Sequence, residues 1–502
     1  MSKIIIGKNT LESLTTGMYA DSFVVYREYI QNAVDSIDGA CRENFITPDQ
    51  GLVTININQN QRCVEILDNG LGVPSVAAEE TLTSIGYSTK DISLSRGFRG
   101  IGRLSALSYC QTLIFETSYP GEKIASKLII DSLKLSELVS TQNDIYEAEA
   151  VMESACTFTQ FSAKSEEHYF RVYIKGIDKN NEILNDTLVL DYLQQVAPVP
   201  FNSNDFVWGK EISKRCKLLG YEIPQYKILM NCSQKSIEIT KPYKDRFLVD
   251  KTRNFYDSIQ DILTLQITNS SQDVIALIWV AKSNYLSSIV DRKVKGLRIR
   301  KGNILIGDNQ TLNYVFKDSR LNGWTIGEVH VLDQKLIPNA RRDGFEKTSS
   351  FYEFSEKMID FASKLAKQIR KATIANNISL SSVIEKTESL TQITNNAIDD
   401  PNLTSSEKEI ISTKLKTTRK ELENTKTDHI IESIFHEIAF DQLDILIGRV
   451  QGASNFKSIN IKNNLTNVEK SILGRVFLVL EKLLPESEMK RVSEAILESF
   501  NK

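Results

Sequence analysis

Residues 26–40 read YREYIQNAVDSIDGA and combine an apolar helix face with a row of polar side chains. The spacing of the apolar residues predicts an amphipathic helix over residues 21–45. Glu28, Asn32 and Asp35 stand at positions i, i+4 and i+7, so their side chains share one face of that helix. Core packing explains the apolar face of such a helix, but it does not explain a carboxylate, an amide and a second carboxylate in one row. The segments that follow supply possible reasons for this row.

The composition describes a globular chain of several domains. The sequence has 502 residues, of which 41% are hydrophobic and 25% charged, with a net charge of −3. This length predicts two to four domains. The small net charge argues against a surface that binds nucleic acid throughout, although a local basic patch stays possible. The six cysteines and four histidines are scattered, without a CxxC pair, so no zinc site is indicated.

The hydrophobic residues predict neither a leader nor a membrane anchor. The first residues, MSKIIIGKNTLESL, lack a basic segment followed by a long apolar run, and no window approaches 18 apolar residues. We therefore expect a cytoplasmic protein without membrane contact.

The pattern along the chain predicts an α+β protein in three parts. Residues 1–200 alternate helix and strand, and a helix over 187–201 is stopped by Pro198 and Pro200. Residues 201–349 are mixed, and residues 350–502 are helical, except that the Ser-, Thr- and Asn-rich segment 378–405 suggests a linker. Within the first part, we expect a helix at 101–109 and only strands at 145–175.

The segment EILDNGLGV, residues 65–73, has two interpretations. Asp68-Asn69-Gly70 between apolar flanks suits a hairpin turn, because Asn-Gly favours positive φ. Alternatively, Asp68 ends a strand and points its carboxylate into a pocket, where it accepts a hydrogen bond from an exocyclic amine. Gly70 and Gly72 would then let the backbone pass close to a ligand.

The segment SRGFRGIGRLSAL, residues 95–107, places Gly97, Gly100 and Gly102 before a predicted helix. Unpaired N–H groups at such a helix start attract phosphate, although a simple turn explains the glycines equally well. The order differs from the dinucleotide-binding G-x-G-x-x-G. The preceding TLTSIGYSTK, residues 81–90, is predicted to be either a segment that closes over a ligand or a surface loop.

The order E-x-x-x-N-x-x-D, D-x-G-x-G and G-x-x-G-x-G resembles the GHKL superfamily of ATPases, and most closely its heat shock protein 90 branch. The resemblance implies an N-terminal Bergerat-fold α/β sandwich, a ribosomal-S5-like α+β middle domain and a helical C-terminal region. It also implies binding of ATP with Mg²⁺ and slow hydrolysis. TSIGYSTK resembles the start of the family's ATP lid.

The resemblance also implies a role for each motif residue. Asn32 would hold Mg²⁺, because an amide oxygen is a hard ligand, and Glu28 would be the general base for the attacking water. Asp68 would bind the adenine amine, supported by Asp35. The remaining nucleotide contacts would come from Gly70, Gly72, Thr89, Gly97, Arg99, Gly100, Ile101 and Gly102. Arg99 does not distinguish the branches, since the chaperones have an apolar residue there and MutL has arginine.

The segment PNARRD, residues 338–343, suggests a second catalytic group. The family's middle domain supplies a basic residue to the γ-phosphate, and the asparagine–arginine spacing here indicates Arg342, with Arg341 as second choice. A surface Arg-Arg-Asp cluster is the plain alternative. Similarly, the basic stretch DRKVKGLRIRKGN, residues 291–303, suggests a solvated strand face or a channel for DNA.

Three functional hypotheses remain open at this point. The first is an ATP-driven, chaperone-like homodimer that closes around a protein client or effector. The second is a DNA-associated clamp of the MORC or MutL type. The third is a nucleotide-regulated scaffold in a defence or stress system. The helical C-terminal part would serve dimerisation or partner binding.

Overall fold

The computed structural model describes most of the chain outside a few segments. The described residues are 7–8, 10–11, 21–86, 100–140, 147–232, 235–252, 254–377, 380–398, 403, 405–423, 425, 430–452, 472–473, 476–477, 479–480 and 483–499. The chain forms two compact units, residues 1–369 and 370–502. The predicted α+β class is confirmed.

The first unit begins with an eight-stranded mixed sheet of order β5-β4-β3-β6-β2-β1-β7-β8. Its strands are β1 (Leu52–Asn58), β2 (Cys63–Asp68), β3 (Thr112–Ser118), β4 (Ile124–Asp131), β5 (Cys156–Ser162), β6 (Tyr169–Lys175), β7 (Lys227–Cys232) and β8 (Lys235–Glu238). The pair β1–β7 is parallel, and the other pairs are antiparallel. Strands β7 and β8 belong to this sheet although they lie beyond residue 200, and the first domain boundary at that residue stays a prediction.

Helices cover one face of this sheet and close its core. They are α1 (Val24–Arg42), α2 (Ser75–Thr83), α3 (Ser132–Ser140), α4 (Ala148–Ala155) and α5 (Asp186–Val196). Apolar residues of α1 such as Ile30, Val34 and Ile37 are buried against Val64 and Ile66 of β2. The alternation of buried and half-buried residues along β2 therefore identifies the sheet face that α1 covers.

Two local predictions in this region are wrong. Residues 148–155 form α4 instead of a strand, because AEAVMESA is rich in strong helix formers that outweigh its alternation. Residues 101–109 contain only a short 3₁₀ turn, Gly102–Leu104. Glycine and the serines at 105 and 108 make a longer helix unfavourable there.

A six-stranded sheet follows, with the order β13-β12-β14-β11-β10-β9. Its strands are β9 (Arg246–Asp250), β10 (Phe255–Thr268), β11 (Val274–Ser283), β12 (Gly296–Lys301), β13 (Ile304–Ile306) and β14 (Ile326–Val331), and α6 (Trp208–Leu218) precedes them. Trp279, Phe206 and Tyr243 pack ring against ring in its core. Strand β14 is buried along its whole length although it carries Glu328 and His330.

The basic stretch 291–303 does not form the exposed basic face that the sequence suggested. Arg298 and Arg300 are fully buried in β12. Lys293 pairs with Asp191 at 3.0 Å, and Lys301 Nζ donates to backbone carbonyl oxygens. Alternation along a strand could not reveal that both faces of β12 are covered, so the expectation of a solvated face was wrong.

The second unit is helical in its described residues. The helices are α7 (Ser349–Asn377), which begins in the first unit, α8 (Leu380–Ile398), α9 (Ser405–Glu423), α10 (Ile430–Gly452) and α11 (Glu486–Ser499). Helix α8 replaces most of the predicted linker. Its Val383 and Leu390 are buried together with Leu415 and Leu443, so packing overrides the modest helix propensity of serine, threonine and asparagine. Across the described ranges, every helix falls short of the length and apolar character that a membrane span requires.

Candidate active site

Helix α1 carries the polar row that the sequence predicted. Glu28 and Asp35 are buried, and Asn32 is half-buried between them. The side chain of Asn32 makes no hydrogen bond to any residue in the described part of the chain. A carboxamide held on a rigid helix without an internal partner suits coordination of a ligand or cation.

Glu28 lies among cations that are close to its carboxylate but do not saturate it. Its Oε1 is 3.1 Å from Nε of Arg342 and 3.5 Å from Nε of Arg27. Within the described residues, this Oε1 is a buried oxygen without a hydrogen bond of good geometry. Gly102 borders the same carboxylate so closely that a Cβ there would stand 2.3 Å from Glu28 Oε2. A larger residue at position 102 would therefore displace the Glu28 carboxylate.

A tight loop after β14 brings Arg342 to Glu28. Pro338 and Phe345 form an antiparallel bridge across its base. At its tip the N–H of Arg342 donates to Asn339 O at 3.1 Å, and the carbonyl of Arg342 accepts from Gly307 N at 2.8 Å. Arg342 has a φ of 55°, a left-handed conformation that costs free energy for a residue with a Cβ.

Arg341 takes a different position from its neighbour. Its side chain is exposed, while its backbone carbonyl accepts a hydrogen bond of 2.9 Å from Arg27. Of the two candidates, Arg342 is thus the one whose side chain lies at Glu28. Whether either residue contacts phosphate stays a prediction.

Asp68 ends β2 on the face that α1 covers. It is 3% exposed, and its Oδ1 accepts a hydrogen bond of 2.9 Å from Gly70 N. Strand β2 pairs with β1 and β6 rather than with the next strand along the chain, so the hairpin interpretation of Asp68-Asn69-Gly70 is wrong. The structure has the geometry of the second interpretation, a strand-end carboxylate inside the fold.

Gly70 and Gly72 allow the loop after Asp68 to lie directly on its neighbours. A Cβ at Gly70 would stand 2.3 Å from Ser36 Oγ of α1, and one at Gly72 would stand 2.1 Å from Ser118 O of β3. Gly72 also has a φ of 70°. The glycines thus permit close approach to α1 and β3, and they bring Asp68 to the helix that carries Asn32, one turn before Ser36.

The glycine run is described only in part. Thr89, Gly97 and Arg99 lie outside the described residues. Gly100 adopts a φ of 69° and its carbonyl accepts from Gly86 N at 3.5 Å. The run leads into the short 3₁₀ turn at Gly102–Leu104, so the predicted helix start with its dipole is wrong. Ile101 is half-buried beside Gly102.

Two basic residues near the site make contacts that the sequence did not predict, although Arg103 was expected to add positive charge to the glycine run. Arg27 adjoins Glu28 in sequence, but only the fold shows that it links α1 to the carbonyl of Arg341. Arg103 donates to the carbonyl oxygens of Thr81 and Ser84, and burial lowers the pKa of Arg103 to about 10. Neither contact could be predicted from the neighbouring sequence, because each partner lies far along the chain.

Comparison with known families agrees with this geometry. Residues 20–160 match the family model described as histidine kinase-, DNA gyrase B-, and HSP90-like ATPase. This part of the chain is therefore a GHKL-type ATPase domain. It contains Glu28, Asn32, Asp68 and the glycine run, and the match does not select one branch of the superfamily. No curated protein matches the chain at a significant level.

Proposed function

We propose that the chain binds ATP with Mg²⁺ and hydrolyses it slowly at the site formed by α1, the loop after β2 and the loop of Arg342. The observation that carries the proposal is the position of Glu28 on the same helix face as Asn32. Among the described residues, one buried oxygen of Glu28 and the amide of Asn32 have no hydrogen-bond partner. Bound Mg²⁺ would neutralise phosphate charge.

Each residue has a defined task in this proposal. Glu28 accepts the proton of the attacking water and is kept in place by Arg27 and Arg342. Asn32 offers its amide oxygen to the cation. Asp68, whose Oδ1 accepts from Gly70 N, would accept a hydrogen bond from the adenine amine. Arg342 provides positive charge for the γ-phosphate, since its guanidinium already lies at the base.

We further propose that hydrolysis drives a chaperone-like dimer that acts on a protein partner. The loop of Arg342 follows β14 of the six-stranded sheet and pairs with Glu28 of the ATPase domain, which supports a connection between hydrolysis and the second sheet. The DNA-clamp alternative depended on residues 291–303, whose arginines in β12 are buried, so no observation favours it here.

Calorimetry and phosphate release test the ATPase proposal. We expect the intact chain to bind ATP with magnesium and to release phosphate. Asp68→Asn should weaken ATP binding at least about tenfold, because a carboxylate acceptor is lost inside a pocket. Glu79→Gln, on the exposed side of α2, removes the same kind of charge and should change neither quantity. Absence of binding by the unaltered chain, or full binding by Asp68→Asn, would contradict the proposal.

Light scattering tests the dimer. The mass should double when a non-hydrolysable ATP analogue is added, and Asn32→Ala should stay at the mass measured without nucleotide. An unchanged mass at saturating analogue would exclude a nucleotide-driven dimer.

A further inference from the structure

His168 reaches the loop after Asp68 from a distant part of the chain. It directly precedes β6, and its Nδ1 is 2.7 Å from the carbonyl oxygen of Gly70, across 98 positions of sequence. A carbonyl oxygen can only accept, so Nδ1 carries the proton and donates. The imidazole is half-buried and lies near the ring of Phe45.

This contact holds one peptide unit from both ends. The carbonyl of Gly70 accepts from His168, and the N–H of the same unit, on Leu71, donates to Ser36 O of α1 at 3.1 Å. The peptide between Gly70 and Leu71 therefore cannot rotate without breaking two hydrogen bonds.

The start of β6 holds the loop at a second point as well. Thr117 Oγ1 donates to the carbonyl of Tyr169 at 3.0 Å and accepts from Val73 N at 2.9 Å. His168 and Tyr169 thus fix the two ends of the segment that runs from Gly70 to Val73. Because Gly70 N also donates to Asp68, the orientation of the Asp68 carboxylate is tied to this segment.

We propose that His168 is a positioning residue for the adenine end of the nucleotide. It acts through the Gly70 carbonyl, which keeps the Asp68 carboxylate aimed into the site, and it does not contact the phosphates or the attacking water. This inference rests on the proposed ATP site and adds a residue outside its motifs. A position on the adenine side predicts an effect on nucleotide affinity that is the same for ADP and ATP and that leaves turnover unchanged.

The test uses His168→Ala and His168→Asn in the full chain. Loss of one hydrogen bond that positions a buried carboxylate should raise the Kd of both ADP and a non-hydrolysable ATP analogue by about tenfold in His168→Ala. The kcat at saturating ATP should stay within about twofold. Asparagine places an amide N–H close to the position of Nδ1, so His168→Asn should recover most of the affinity.

Hydrogen exchange gives a readout that needs no nucleotide. Without ligand, the peptide that covers residues 68–73 should exchange faster in His168→Ala than in the unaltered chain, while α1 is unchanged. Unchanged Kd and exchange in His168→Ala, or asparagine as poor as alanine, would overturn the inference. An equal effect on kcat would also overturn it. If the unaltered chain bound no nucleotide, the proposed function itself would fail, and this inference with it.

Discussion

Two buried glutamates of the first unit, Glu28 and Glu328, have opposite surroundings. Glu328 in β14 is saturated with donors, whereas an oxygen of Glu28 in α1 is left without a hydrogen bond among the described residues. The donors to Glu328 are Lys241 Nζ at 2.6 Å, Tyr243 OH at 3.0 Å, His330 Nε2 at 3.1 Å, Trp279 Nε1 at 3.2 Å and Arg300 Nε. A saturated carboxylate has no capacity for a ligand, while an unsaturated one retains it.

The charges around Glu328 explain how it stays ionised inside the fold. Burial alone would raise its pKa, but Arg300 and Lys241 hold the pKa of Glu328 well below its usual range. Burial and the neighbouring Arg300 lower the pKa of Lys241 to about 7, and burial lowers the pKa of His330 to about 4. At neutral pH, His330 is therefore a neutral donor within the cluster. Glu328 is thus bonded within the second sheet, whereas we propose that Glu28 acts as the general base.

Removing the charge of Glu328 should have the largest effect. Glu328→Gln leaves Arg300 and Lys241 buried without a carboxylate, and we expect the free energy of unfolding to fall by about 3–5 kcal/mol. Urea titration at pH 7 measures this. Glu222→Gln, which breaks an exposed pair with Lys217 in the same region, should cost less than about 1 kcal/mol. Equal effects of the two substitutions would contradict the structural role of Glu328.

The corresponding change at Glu28 should affect turnover instead of folding. Glu28→Gln keeps the shape of the side chain but removes the base, and we expect kcat to fall about 100- to 1,000-fold. The Kd for ATP, measured by calorimetry, should stay within about threefold, because the base does not anchor the nucleotide. Glu79→Gln is the control in the phosphate-release assay. A kcat for Glu28→Gln close to that of the unaltered chain would exclude Glu28 as the base.

Acid should lower the free energy of unfolding through His330, which belongs to the Glu328 cluster. The folded-state pKa of His330 is about 4, below its ordinary value of 6.5. Between these two values the unfolded chain binds more protons, so the free energy of unfolding falls as pH drops from 6.5 to 4, by up to about 3 kcal/mol. His330→Gln keeps a donor toward Glu328 but does not titrate, and its urea midpoint should fall less over this window. Parallel midpoints for both proteins would show that other groups cause the acid sensitivity.

The sequence predicted the surroundings of Glu28 far better than those of Glu328. Glu28 and Asn32 stand on one helix face, and helical spacing alone reveals this. The resemblance of PNARRD to the family's middle-domain motif implied Arg342, although the ion pair with Glu28 depends on the loop after β14. Such contacts across long stretches of sequence are set by tertiary packing, which local propensity cannot encode.

The Glu328 cluster shows the limit of pattern reasoning. Its arginine lies in LRIRK, a stretch that resembles an ordinary solvated strand, and its carboxylate follows 28 residues later. Periodicity reports which residues alternate, but not whether the second face of a strand is covered. The same limit applies to His168 at the proposed nucleotide site, since nothing near it in sequence indicates Gly70 as its partner.

The smallest expected effect is a difference in stability between two substitutions of Arg342. It distinguishes the contribution of the guanidinium charge from that of the left-handed backbone. Arg342→Ala and Arg342→Gly both remove the guanidinium at Glu28, so we expect both to lower kcat by a similar factor, about tenfold or more. They differ only in the Cβ at a φ of 55°. A left-handed conformation costs alanine about 1–2 kcal/mol, and glycine loses part of that advantage through the entropy of its unfolded chain. Arg342→Gly should therefore be more stable than Arg342→Ala by about 1 kcal/mol in urea titration, at equal kcat.

Two outcomes would contradict this prediction. If glycine restored turnover, Arg342 would contribute backbone strain rather than charge to the site. If the alanine and glycine variants were equally stable, the strained loop tip would be absent in solution.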